Sequence, residues 1–346
     1  MTERYSDLSD REFLTRIREA SRLPAEELIE AAIGRTAALE SGLCQILDSP
    51  VPPSGTGGHV LAGLLLIEAR ALVSIPTFAS LYRDPEREPL LSPWFDAQIA
   101  NIGPPLVMPF RNLLLDDNAP LSGRLSAVEV LNNIAGLYPE QRDKVLESVR
   151  SVVQGVETID DLDDDAVELL SWSVSALVDL GDRDSAEMVR GLTVRLGSGT
   201  SSLAELAEYA ELLSGGTPSP DINRPVPILE LYAAVRKWEA MSAEDVVEHY
   251  KEAMLTSGVD EKLVTSVMAI ALARFVGDSR VESGEDLISA LKSTLSSAGV
   301  AEPDLDTAVK DLLITVFAFD GIESETILPA GLERSVRLRF NLDALN

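Results

Sequence analysis

Two histidines, one cysteine and a dense block of carboxylates are the residues of this 346-residue chain whose types could carry chemistry. His59 follows Gly57-Gly58 at a loop-to-helix junction, and His249 sits inside a helical pattern. Cys44 stands alone, so no internal disulfide can form. Two imidazoles and one thiol do not make a Cys/His zinc site. Nothing in the spacing assembles a Ser-His-Asp or Cys-His nucleophile. His59 reads as a polar helix-start residue and His249 as a half-exposed helix residue. Gly55-Thr56-Gly57-Gly58 and Gly197-Ser198-Gly199-Thr200 lack the trailing Lys-Ser/Thr of a phosphate-cradling loop, and no strand precedes either. The expectation is a chain with no catalytic residues, no cofactor and no metal.

The densest carboxylate block is Asp160, Asp161, Asp163, Asp164 and Asp165. Between Glu157 and Glu187 there are 11 acids and a single base, Arg183. A calcium loop opening at Asp161 would put Asp163 and Asp165 at its third and fifth positions. It then fails, because Ala166 stands where glycine is required and Trp172 where the bidentate glutamate belongs. The block reads instead as a helix start, where carboxylates meet the positive end of the helix dipole. A docking patch for a basic partner is the functional alternative. Trp94, Trp172 and Trp238, the last preceded by Arg236-Lys237, are core residues or anchors of an interface, a role in which Trp and Arg are favoured.

Charge narrows the partners. The chain carries 57 acids against 29 bases, a net charge of −28. Residues 1–150 contribute 21 acids and 14 bases, or −7; residues 151–346 contribute 36 and 15, or −21. Nucleic-acid affinity rests on basic residues neutralising phosphates, and anionic lipid repels such a surface, so neither is an expected partner. A basic protein would be steered toward it. Solubility, the composition of the genome or a salty cytoplasm explains the same acidity without a partner; only six of the bases are Lys, none before Lys144. Met1-Thr2-Glu3-Arg4-Tyr5 lacks the pattern of a secretory leader. The longest apolar run, Val60 to Ile67, is short of the ~20 residues of a membrane span. The expected location is cytoplasmic. Oligomeric state is left open.

The elements that must position these residues are helices. Ala127, Val130, Leu131, Ile134 and Leu137 follow i, i+3, i+4, i+7 spacing, as do Val167, Leu170, Val174, Leu177 and Val178, and again Val264, Val267, Met268, Ala271 and Phe275. Proline recurs where helices begin and glycine where they end. The pattern predicts helices over 10–21, 24–35, 38–47, 59–73, 75–82, 90–101, 105–115, 121–137, 139–154, 161–180, 183–196, 200–214, 226–239, 242–256, 260–276, 284–298, 304–318 and 324–332. Ser335–Phe340 is the best strand candidate, though a closing helix fits it equally well. Asp48–Gly58 reads as a surface loop. Ser214–Pro227, with four prolines and two glycines, reads as a linker. The expected organisation is a helical array over 1–214, a linker over 215–227 and an acidic helical domain over 228–346.

Leu106–Leu115 (LVMPFRNLLL) leads into Asp116-Asp117, a short turn and then Arg124-Leu125-Ser126-Ala127. Ala69–Arg83, with Pro76, looks like the first helix of an earlier unit. Leu177–Leu196 turns at Gly181-Asp182-Arg183-Asp184 into a later one. This arrangement resembles a HEAT-like repeat, clearest over residues 23–200, and is similar to an uncharacterised bacterial HEAT-like domain family. The resemblance implies an all-α fold, an α-solenoid of stacked antiparallel helix pairs, and no particular chemistry. Stacking follows on physical grounds too, since no helix pair can bury its apolar stripe alone. The expected function is a non-catalytic scaffold or adaptor that docks a basic protein partner. Trp94, Asp160, Asp161, Asp163, Asp164, Asp165, Trp172, Arg236 and Trp238 are the candidate contacts. Three alternatives compete: an enzyme of the HEAT-like lyase kind with a pocket between helices, a nucleic-acid enzyme on a HEAT scaffold, and an acidic mimic of DNA.

Overall fold

The structure, a computed structural model, describes residues 5–53, 55–156, 163–196, 201–215, 225–256, 284–297, 300–306, 308–310 and 312–313. The expected helices over 260–276 and 324–332, the strand candidate at 335–340, and residues 216–224 of the expected linker lie outside them. Among the described residues every regular element is helical. The chain divides into two compact units, Met1–Leu231 and Tyr232–Asn346.

The first unit holds α1 (Asp10–Arg18), α2 (Glu26–Ile33), α3 (Thr36–Asp48), α4 (Gly57–Glu68), α5 (Ile75–Leu81), α6 (Glu88–Ile99), α7 (Val107–Leu114), α8 (Leu121–Leu137), α9 (Arg142–Val156), α10 (Asp164–Asp179), α11 (Ala186–Leu196) and α12 (Ser201–Gly215). Local chemistry sets several boundaries. Ser9 caps α1 in a reciprocal box with Glu12. Pro76 and Pro89 sit in the first turns of α5 and α6, where a missing N–H costs nothing. The pattern predicts a helix to residue 73, yet α4 stops at Glu68. Arg70 takes a left-handed φ of 53°, and the Ala71 N–H turns back to the Leu66 carbonyl. That wrap satisfies the terminal carbonyls and ends the helix. Gly181, φ 62°, closes α10 in the same way, with the Asp182 N–H on the Leu177 carbonyl.

Packing follows chain order. α3 packs on α4, α7 on α8, α9 on α10 and α11 on α12. Alternate helices also pack in series: α4 on α6, α6 on α8, α8 on α10, α10 on α12, and likewise α3, α5, α7 and α9. The second series of neighbours runs parallel where side chains fix it. Asn132, near the end of α8, donates to Asp179 at the end of α10, 2.9 Å. Arg195, near the end of α11, donates to the Val156 carbonyl at the end of α9, 2.7 Å. Phe78, Tyr82, Phe95 and Phe110 fill the core edge-to-face, Tyr82 and Phe110 with centroids 5.1 Å apart.

Arginine ties the helix ends together. Arg87 donates to the Leu47 and Asp48 carbonyls at the end of α3, Arg124 to Leu114 at the end of α7, and Arg142 to Leu180 after α10. A cation at a helix C-terminus satisfies orphan carbonyls and meets the negative end of the dipole. After α12 the chain stays bonded to this unit: the Val226 N–H donates to Gln98 Oε1 and the Ile228 N–H to Glu68 Oε2.

α13 (Ile228–Ala240) begins in the first unit and continues into the second, which also holds α14 (Ala243–Thr256) and α15 (Gly284–Ser297). Ser242 and Asp245 form a reciprocal cap at the start of α14. α14 packs on α15, and Lys292 pairs with Asp306 at 2.6 Å.

Candidate interaction surface

α10 carries the sequence-predicted residues that stand together. Asp163 is its N-cap, accepting the Ala166 N–H at 2.8 Å, which spends that carboxylate on the helix start. Asp164 opens the helix, and Asp165 is exposed in its first turn. Asp165, Glu168 and Trp172 share one face, at spacings of three and seven residues. All three are exposed, and Trp172 leaves 43% of its surface to solvent, alone among the tryptophans. The opposite face, Leu169, Leu170, Val174 and Leu177, is buried. At 1.5 Å per residue the stripe from Asp165 to Trp172 spans about 10 Å. Asp160 and Asp161 lie outside the described residues.

The other candidates stand elsewhere. Trp94 is buried on α6, at 7% exposure. Between it and α10 lies α8, which packs on both. Trp238 and Arg236 belong to the second unit. Trp238 is buried and meets His249 edge-to-face at 5.2 Å, and Arg236 is half-buried.

Two polar constellations escaped the sequence reading. The first is a buried network between α5, α6 and α8. The Tyr82 hydroxyl donates to Asp96 Oδ1 at 2.6 Å, and the Ser92 hydroxyl to Glu88 Oε1 at 2.7 Å. The Ser126 hydroxyl lies 3.2 Å from Asp96 Oδ2 and 3.3 Å from Glu88 Oε1. Every one of these side chains is buried. Burial, then the charges of Asp96, Glu88 and Glu129, hold the Tyr82 phenol protonated well above its ordinary range. One signal was legible: Glu88, Ser92 and Asp96 recur at intervals of four within a mostly apolar helix, which puts them on one face.

The second lies at the turn after α10. Arg150 holds Asp182 through two guanidinium nitrogens, and the Ser185 hydroxyl donates to the same carboxylate. Burial pushes the Asp182 carboxyl up, but these bonds and the charges of Arg150 and Arg142 outweigh it and leave it below its usual value. An open pocket of about 300 Å³ follows, lined by Arg142, Arg150, Arg183, Asp143, Asp182 and Asp184 among others. Three cations face three anions there, and the fork of Arg150 is committed to structure. Among the described residues no group of three His, Cys, Asp or Glu is arranged to hold a metal ion. Nor is any described helix long and apolar enough to cross a membrane.

No family model, curated protein or solved structure matches the chain.

Proposed function

We propose that the chain is a HEAT-like α-solenoid scaffold that docks a basic protein partner on the outward face of α10. The solenoid reading is supported by the serial packing of the first unit, in which consecutive helices pair and alternate helices lie on one another. The docking reading is carried by one observation. Trp172 leaves 43% of its surface to solvent on a face that otherwise carries carboxylates, while the other tryptophans are buried. An indole two turns from the exposed Asp165 suits a basic segment, one guanidinium stacking on the ring while a second cation meets the carboxylate. The net charge of −28 steers such a partner in. The reading needs no turnover, no cofactor and no nucleic acid.

The test is capture from a host lysate by the immobilised full chain, run beside Trp172→Ala and Asp165→Asn. Basic proteins that bind at low salt, leave at high salt and are lost by Trp172→Ala support the reading. An eluate identical for wild type, variant and blank resin refutes it.

A further inference from the structure

His59 stands in the first turn of α4, 1% exposed, where three other segments converge. Its Nε2 lies 3.0 Å from the Ser49 carbonyl just after α3, so that nitrogen carries the proton and donates. Nδ1 is then the unprotonated nitrogen; it is buried with no hydrogen-bond partner. The end of α1 presses against the same turn. A Cβ on Gly58 would lie 2.3 Å from the Arg18 carbonyl oxygen, and one on Gly57 2.4 Å from that of Ser21. Arg87, preceding α6, completes the corner by donating to the Leu47 and Asp48 carbonyls.

We propose that this corner is an acid-sensitive latch: neutral His59 fastens the end of α3 to the start of α4, and a proton arriving on Nδ1 releases them. The closed corner has no acceptor for that second N–H. Among the described residues two charged groups act on the ring, Arg18 from α1 and Arg87 ahead of α6, and both oppose a positive charge. Asp48, the last residue of α3, accepts from the Thr77 hydroxyl at 3.1 Å. The N-terminal end of α4 adds its own positive dipole. Only water can accept the new N–H, and water reaches it when the corner opens.

The sign follows. Burial first, then Arg87 and Arg18, push the imidazole below its ordinary value, against the opposing pull of the Ser49 carbonyl. A depressed folded-state value makes the closed corner fully stable above an unfolded value of about 6.5 and progressively weaker below it, by up to about tenfold per pH unit.

Amide hydrogen exchange on the full chain tests this. Corrected for intrinsic rates, protection at Ser49 and Val60 should fall severalfold, by at most about fivefold, between pH 6.5 and 5.5. Protection within α7 and α8 should hold, and His59→Gln should abolish the dependence. Unchanged protection at Ser49 and Val60, or a fall that persists in His59→Gln, overturns the proposal. Should His59→Gln not fold, ring ¹⁵N spectra of the wild type decide. Protonation of Nδ1 together with loss of corner protection supports the latch, and protonation with the corner still protected overturns it.

Discussion

Tyr82→Phe isolates one bond of the buried network. The substitution removes the hydroxyl that donates to Asp96 Oδ1 at 2.6 Å and nothing else. The ring stays, so its edge-to-face contact with Phe110 and its burial are retained. What remains is a buried carboxylate oxygen without the donor that faced it. Hydrogen bonds to charged or strongly polar partners contribute about 1.5–3 kcal/mol, so a loss of about 2 kcal/mol is expected. For a cooperative unit of this size that is a fall in Tm of about 4–8 °C. Calorimetry or circular-dichroism melts of the full chain would read it. The fall belongs to the transition of Met1–Leu231, and that of the second unit should hold its place. The pH dependence adds a second mark. A phenol raised in the fold leaves stability intact below its unfolded value of about 10 and erodes it above. Tyr82→Phe should therefore flatten the alkaline loss of wild type. A variant melting within 1 °C of wild type, with the same alkaline slope, would refute the network as a stabilising device.

Three further outcomes are expected. Arg150→Gln leaves Asp182, 3% exposed, with Ser185 as its main donor, and should cost about 2 kcal/mol in denaturant titration. The Asp182 carboxyl then loses its depressed value, so the variant's deficit should be full above about pH 4 and shrink in more acid solution. Gly58→Ala drives a methyl into the Arg18 and Ile17 carbonyls and should cost about 1–3 kcal/mol, read as a shifted melt. Trp172→Ala should cost about 1–2 kcal/mol, because 43% of the residue is already exposed; a loss of about 3–5 kcal/mol, that of a fully buried indole, would mean that it serves the core rather than a partner.

The helices were legible because periodicity is local. Ala127, Val130, Leu131 and Ile134 recur at core spacing, and all are buried on α8. The same arithmetic could have separated the tryptophans. Trp172 falls off the stripe set by Leu170, Val174 and Leu177, whereas Trp94 lies in a helix whose polar side chains are themselves buried, sheathed on both sides by α4 and α8. The spacing of Glu88, Ser92 and Asp96 was legible, but their partner was not, since a sequence shows a carboxylate and not the Ser126 hydroxyl 30 residues away that meets it. The arginines misled for the same reason. In composition they are charges to set against acids. In the fold Arg87, Arg124 and Arg142 reach across 10 to 40 residues to main-chain carbonyls.

Those arginines change how the molecule should answer to its solvent. A guanidinium turned onto peptide oxygens does little to quiet carboxylates on the outside. With 57 acids to 29 bases, the exterior is left pushing against itself. Dissolved ions mute that mutual repulsion over about 10 Å at 0.1 M. The tethers, seated at part-buried helix ends, are shielded far less. Brine should therefore make this protein harder to unfold, the reverse of what befalls one held together by ion pairs on its skin.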